Sequence, residues 1–291
     1  MHCELIVDAR NGTGESPVWH PTEQALYWVD IPARQLHRWQ DGTHQLWQAD
    51  EMLACIARSP QGWVAGMQSG IFQLTPKADG RLDSRLFASV EHAQPGMRFN
   101  DGRCDRQGRF WAGSMLMDMQ QGAHVGGLYR VDGEGALHQQ LKEMIVPNGL
   151  AFSPDGRRMY LSDSHPNVQK IWAFDYDTDS GTPYNQRVFV DMRGYPGRPD
   201  GAAIDADGCY WICGNDAGQV HRFTPDGRLD RSLSVPVKKP AMCAFGGANL
   251  DTLFVTSIRP GGVDLADQPL AGGVFALRPG VQGLEEPAWR S

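Results

Sequence analysis

Glu15, Asn100, Asn148 and Asp200 stand at one and the same place of a unit that recurs along the chain. The unit closes on a small turn with glycine, seen as Pro60-Gln61-Gly62, Arg106-Gln107-Gly108, Pro154-Asp155-Gly156 and Ala206-Asp207-Gly208. Counting eight residues back from Gly108, Gly156 and Gly208 reaches Asn100, Asn148 and Asp200, and a looser first copy puts Glu15 in the equivalent place. Copies arranged around an axis would set these side chains at one height on one ring. Two carboxylates and two amides converging there, with no Lys or Arg among them, suit a hard metal ion. Ca, Mg or Mn fits such oxygen donors best, and carboxylates also accept Zn and Fe. One divalent metal ion is therefore expected, with open positions for water and substrate.

Taken singly, each motif reads more simply. Asn100-Asp101-Gly102, Asn148-Gly149 and Asp200-Gly201 are turn signatures, and Glu15 alone is an exposed acid. The second and sixth copies decide between the readings. They hold Ala54 and, more loosely aligned, Ala241 at the same place, so the repeat itself does not demand a polar turn former there. Other chemistries are set aside: there is no G-x-S-x-G elbow, no H-E-x-x-H, no P-loop and no G-x-G-x-x-G after a strand. Asp163, after an inner strand, could line the pocket or be a solvated strand-end acid. Asp30 sits at the matching place after Tyr27-Trp28-Val29, which favours a structural habit of the repeat. His124 and His165 are read as surface residues, and the tryptophans at repeated positions as core.

The elements that must position the ring are short strands. Past each turn runs an apolar or aromatic segment such as Trp63-Val64-Ala65, Phe110-Trp111-Ala112 or Tyr210-Trp211-Ile212, and a second apolar strand follows each time. Their β-branched and aromatic content, short length and Gly/Asp punctuation are strand and turn signals. Six copies can be counted, with the clear glycine anchors spaced by about 46, 48 and 52 residues, in the range of propeller blades. A blade cannot bury both faces alone, and a closed circle of blades solves that problem while leaving only short edges. The expected fold is all-β, a single six-bladed β-propeller domain over 1–291. Residues 142–146 and 231–239 are expected as blade-to-blade or outer-strand segments, and 260–273 as a long surface loop.

Composition is that of a soluble globular chain: 291 residues, 41% hydrophobic and 21% charged. The formal net charge is −7, with no long basic run, so nucleic acid and anionic membranes are not expected partners. No signal peptide is visible and no apolar run approaches membrane-spanning length. The six cysteines lack zinc-finger or C-x-x-C spacing, and Cys209 and Cys213 are read as buried thiols. A reduced cytoplasm is the expected location. Nothing marks an interface, so a monomer is expected.

Several segments together carry a family resemblance. Glu15-Ser16-Pro17-Val18-Trp19, Arg98-Phe99-Asn100-Asp101-Gly102, the run from Asn148 to Gly156 and Pro199-Asp200-Gly201 resemble the signature segments of the regucalcin (senescence marker protein)/gluconolactonase family, in the same order over essentially the whole chain. The resemblance implies one divalent metal at the mouth of the central channel and hydrolysis of a sugar lactone, a small-molecule partner. It implies Glu15, Asn148 and Asp200 as metal ligands, Arg98 and Asn100 as substrate-binding residues, and Asp200 as general base. The family commonly has acidic residues shortly after the Ala-Gly-(Ser/Thr)-Met segment. Here Ala112-Gly113-Ser114-Met115 is followed by a Met-rich loop in which only Asp118 is available for the substrate pocket. Two rival functions stand beside this one. A more apolar mouth around Met115, Met117 and Met119 would suit aryl esters or organophosphates, and a non-catalytic calcium-binding regulator would have no use for a substrate-orienting Arg98.

Overall fold

The structure, a computed structural model, describes residues 2–290. Strands arrange as six four-stranded antiparallel sheets around a channel, a six-bladed β-propeller. The innermost strands are Gly14–His20, Leu53–Ser59, Met97–Cys104, Pro147–Phe152, Arg198–Ile204 and Pro240–Gly246. Neighbouring innermost strands pack on one another in chain order, and the last packs on the first. Blades 1 to 5 are built from consecutive strands running outward. Blade 6 is composite: Pro240–Gly246, Thr252–Ser257 and Val274–Leu277 are completed by the N-terminal strand Cys3–Val7, paired antiparallel to Val274–Leu277. The ring is thus closed by hydrogen bonds between the two ends of the chain. Among the described residues there is no α-helix, and two single 3₁₀ turns occur at Met119–Gln121 and Met192–Gly194.

Burial explains why these strands form blades. The second strands carry Trp28, Trp111 and Trp211, all fully buried, and each blade's inner strands are apolar on both faces because each face meets another blade. The glycine turns join innermost to second strands at one end of the channel, the base. Gly108, Gly156 and Gly208 all have positive φ there. Asp105 and Asp205 open two of these turns and accept the turn's own N–H groups: Gln107 and Arg109 for Asp105, Asp207 and Cys209 for Asp205. The C-terminal segment crosses under the base, where Glu286 pairs with Arg103 at 2.9 Å and Trp289 N donates to Arg58 O.

The opposite end, where the innermost strands begin, is the mouth. Every innermost strand breaks register there: between Glu15 and Val18, Leu53 and Cys55, Phe99 and Gly102, Asn148 and Ala151, Pro199 and Ala202, and Pro240 and Cys243. The dipeptides that read as turns are therefore β-bulges within strands, which re-aim a side chain. Two glycines show what the bulges require. Gly149 has φ +61°, and a Cβ there would overlap Tyr210 Oη; at Gly201 it would overlap Met242 Cβ and Cγ on the next blade. The outer strands Leu137–Met144 and Leu229–Ser234 run into the expected connecting segments, and 260–273 holds no strand.

Candidate active site at the mouth of the channel

The six bulges place Glu15, Ala54, Asn100, Asn148, Asp200 and Ala241 at equivalent positions around the channel. The four polar members, with Arg98, line one cavity of about 320 Å³. Within it Asn100 is the hub. Its Oδ1 accepts from Arg98 Nη1 at 2.8 Å, and its Nδ2 donates to Asn148 Oδ1 at 2.9 Å and to Pro147 O at 3.1 Å. Asn148 Nδ2 donates to Ser164 Oγ at 2.7 Å, and Ser164 in turn donates to Pro199 O, the residue before Asp200. Side chains of blades 3 and 4 are thereby locked into one orientation by a continuous chain of hydrogen bonds that ends on the backbone of blade 5.

The carboxylates are held differently. Asp200 Oδ2 accepts from Asn215 Nδ2 at 2.5 Å, while Glu15 receives one hydrogen bond among the described residues, from Ser16 N at 3.3 Å. Burial raises the Glu15 carboxyl well above the usual range, and the charges of Asp200 and Asp101 push it further. Burial likewise raises Asp200, to about 7, against the opposing pull of Asn215 and Arg198. Burial lowers the Arg98 guanidinium to about 10, which leaves it charged at neutral pH. Two poorly solvated carboxylates facing one cavity are a costly arrangement that a cation relieves. Among the described residues no three His, Cys, Asp or Glu side chains converge as a metal site. The donor set is two carboxylates supplemented by amide oxygen, and Asn148 Oδ1 keeps a second lone pair beyond the one Asn100 uses. This oxygen-only set fits a hard divalent ion.

Second-strand residues fasten the loops that lead into the ring. Asp30 accepts from Gly12 N at 2.9 Å and Thr13 N at 3.0 Å, just ahead of Glu15. Asp163 does the same for Ile145 N and Val146 N, just ahead of Asn148. Asp163 is thus neither a pocket wall nor a solvated acid; it shares the structural habit expected of Asp30. His165 corrects another expectation. It is buried, with its N–H on Asp163 Oδ1 and Nε2 at 3.1 Å from Met119 O, because Asp163 draws the loop inward. His124 is exposed, as expected, and Cys209 and Cys213 are buried free thiols.

Asp118 is exposed and spends its carboxylate on its own turn, accepting from Gln120 N and Gln121 Nε2. The cavity wall there is made by Met115 and Met119. Sequence reasoning missed Asn215, Ser164, Arg198 and Lys239, all of which also line the cavity. Arg198 and Lys239 could have been found by the repeat, since each lies two residues ahead of a ring position, as Arg98 does. Ser164 and Asn215 follow or end second strands and carry no motif.

The chain as a whole is similar to known proteins. Residues 13–259 match the SMP-30/gluconolactonase/LRE-like region family. A 6-deoxy-6-sulfogluconolactonase of Pseudomonas putida is 43% identical over 98% of this chain and 97% of its own. An L-arabinolactonase of Azospirillum brasilense is 35% identical over 96% of this chain and 93% of its own. Among solved structures, a calcium-binding protein, regucalcin, of Agrobacterium tumefaciens superposes with a TM-score of 0.89, at 29% identity over 99% of this chain and 97% of that one. A match over most of the chain, carried by relatives well above 30% identity, makes this protein a member of the SMP-30/gluconolactonase/LRE-like family.

Proposed function

We propose that the protein is a metal-dependent sugar lactonase that opens an aldonolactone to the aldonic acid in sugar catabolism, with its reaction centre at Glu15, Arg98, Asn100, Asn148 and Asp200. The observation that carries the reading is the pairing of two buried, under-solvated carboxylates with an ordered amide and guanidinium donor array in one sugar-sized cavity. The lactonase names of the Pseudomonas and Azospirillum relatives support the substrate class, and the calcium-binding description of the Agrobacterium relative supports a divalent ion.

Glu15, Asn148 and Asp200 would hold the ion. When bound there, a divalent cation supplies Lewis-acid stabilisation of negative charge on the lactone carbonyl oxygen. Asp200 takes the proton of the attacking water as the carbonyl carbon becomes tetrahedral. It returns that proton to the ring oxygen when the acyl–oxygen bond breaks, so water is added across that bond. Burial raises this carboxyl in the metal-free protein, and a cation held beside it would draw it back toward the carboxylate form that accepts a proton from water. Asn215 holds Oδ2, which leaves Oδ1 as the working oxygen. Arg98 and Asn100 bind sugar hydroxyls. Their mutual hydrogen bond sets the guanidinium plane before substrate arrives, so little ordering remains to be done on binding.

The test is proton release from a panel of sugar lactones, using metal-stripped protein and protein resupplied with Ca, Mn, Zn, Mg or Fe. Acceleration over spontaneous ring opening that depends on metal is the expected result. No acceleration with any metal, despite tight metal binding, would overturn the reading.

A further inference from the structure

A second ring lies above the first. Two residues ahead of each bulge position the innermost strands and their entry loops carry Thr13, Met52, Arg98, Val146, Arg198 and Lys239, one pleat nearer solvent, about 6–7 Å up the strand. All but Met52 line the same cavity as Asp200. Three of the six are cations, and they are not spread evenly. Arg98 stands on blade 3 and is engaged downward with Asn100. Arg198 and Lys239 stand side by side on blades 5 and 6 and share a single carboxylate: Arg198 Nε reaches Asp216 Oδ2 at 2.6 Å, and Lys239 pairs with Asp216 Oδ1. Arg198 Nη1 is tied to Ser164 O at 3.1 Å, which points the guanidinium along the cavity wall. Two cations on one acid leave a positive charge over. The other acids of the cavity, Asp200 and Glu15, lie in the lower ring, where a divalent ion would answer their charge, and the wall beside the two cations is otherwise apolar, with Met115, Met119, Ile258 and Pro260.

A neutral sugar lactone has no use for this surplus. We propose that Arg198 and Lys239 form an oxyanion subsite, and that the preferred substrate is an aldonolactone bearing a sulfonate, phosphate or carboxylate at the end remote from the lactone carbonyl. The proposal rests on the lactonase reading of the same cavity. Carbonyl chemistry is confined to the lower ring, where the carboxylates are. A terminal anion is then directed to the upper ring on blades 5 and 6, across the cavity from Arg98. The arginine presents a fork of donors matched to an oxyanion, and the lysine adds a compact charge. Asp216 keeps both cations in place when the subsite is empty, and being half exposed it yields its share of their hydrogen bonds at small cost.

The decisive experiment compares kcat/KM of the metal-loaded enzyme for gluconolactone with that for the same lactone carrying a terminal sulfonate, phosphate or carboxylate. At low ionic strength at least one anionic lactone is expected to exceed the neutral one by about tenfold to hundredfold, the worth of one or two charge-assisted hydrogen bonds. The three anions distinguish the sources of the charge. The preference is expected to shrink as salt rises and to collapse in Arg198→Gln and, to a smaller extent, in Lys239→Gln, read as the ratio of anionic to neutral kcat/KM. A neutral lactone turned over as well as all three anionic ones, or a preference indifferent to Arg198→Gln, would overturn the subsite while leaving the lactonase reading standing. Calorimetric binding of the open-chain products separates the two readings. If no lactone is turned over, tighter binding of a terminally anionic aldonate than of gluconate still upholds the subsite, and equal binding overturns it.

Discussion

Asp200 and Asp205 sit at opposite ends of the innermost strand Arg198–Ile204, both buried, and the contrast between them separates what this fold uses for shape from what it uses for chemistry. At the base, Asp205 is saturated: it accepts from Asp207 N, Cys209 N, Trp211 Nε1 at 2.8 Å and Arg222 Nε at 2.7 Å. Asp105 on blade 3 is the same, with Gln107 N, Arg109 N, the Arg109 guanidinium and Tyr176 Oη at 2.6 Å. At the mouth, Asp200 lines the cavity with one strong partner, Asn215 on Oδ2, and Oδ1 accepts no hydrogen bond among the described residues. A buried carboxylate with every lone pair answered is a fastening. One left short of partners is a group held ready for a cation, a water or a substrate.

The largest effect expected from this contrast is on turnover. Asp200→Asn should cut kcat by about a thousandfold or more, within the range of a lost general base, while the melting temperature of the metal-stripped protein holds or rises. Steady-state kinetics beside thermal melts check it, and retention of near-normal turnover would break the assignment. Asp205→Asn should do the reverse. Arg222 keeps Asp207 and Asp230, so the loss is that of the buried hydrogen bonds to Arg222, Trp211 and the turn amides, about 1–3 kcal/mol of stability measured by denaturant unfolding, with the surviving folded fraction still active. If that variant unfolds at the wild-type midpoint, the base carboxylates are not the fastenings described here.

Asn215→Ala sharpens the comparison by loosening the one partner Asp200 has. A fall in kcat of about tenfold with KM little moved, and a pH–rate profile displaced upward because the Asp200 carboxylate loses its stabilising donor, are expected. An unchanged profile would show that Asn215 merely fills space. The smallest effect is on stability against pH. The Asp200 carboxyl binds its proton more tightly when folded, about 7 against an ordinary 3.8, so the folded state holds a proton that the unfolded chain has released in between. Metal-free protein should therefore lose stability as pH rises from about 4 through about 7, with the likewise raised Glu15 carboxyl adding to the loss, and a divalent ion or Asp200→Asn should flatten the slope. Melting curves in chelator across that range measure it.

How much of this was legible in the sequence follows from what repeats. The glycine turns repeat, and through them the six blades and the height of Glu15, Asn100, Asn148 and Asp200 could be counted off. The Asn-Gly and Asp-Gly pairs carried a misleading local signal. Such pairs favour turns in short peptides, but here Gly149 and Gly201 serve bulges whose reason is the close approach of Tyr210 and Met242 from other strands. Asn215, Ser164 and His165 were not legible. Asn215 acts within its own blade on Asp200, Ser164 carries Asn148 to the backbone of blade 5, and His165 reaches the loop at Met119, but none of the three belongs to a motif that repeats. Arg198 and Lys239 lie between these cases, visible only once the ring positions were aligned and the residues two places ahead were read in the same way.

Closure of the ring by Cys3–Val7 against Val274–Leu277 has a consequence for biosynthesis. Cys3–Val7 leaves the ribosome about 270 residues ahead of its partner strand. At roughly 5–20 residues per second of translation, it waits on the order of 15–50 seconds with its pairing edge open. Until then blades 1 to 5 form an open arc whose two ends present apolar blade faces, and Cys3–Val7 presents unpaired backbone, to other nascent chains. The slow, long-range step is the closing one, and the mouth of the channel acquires its full complement of side chains only when that step is complete.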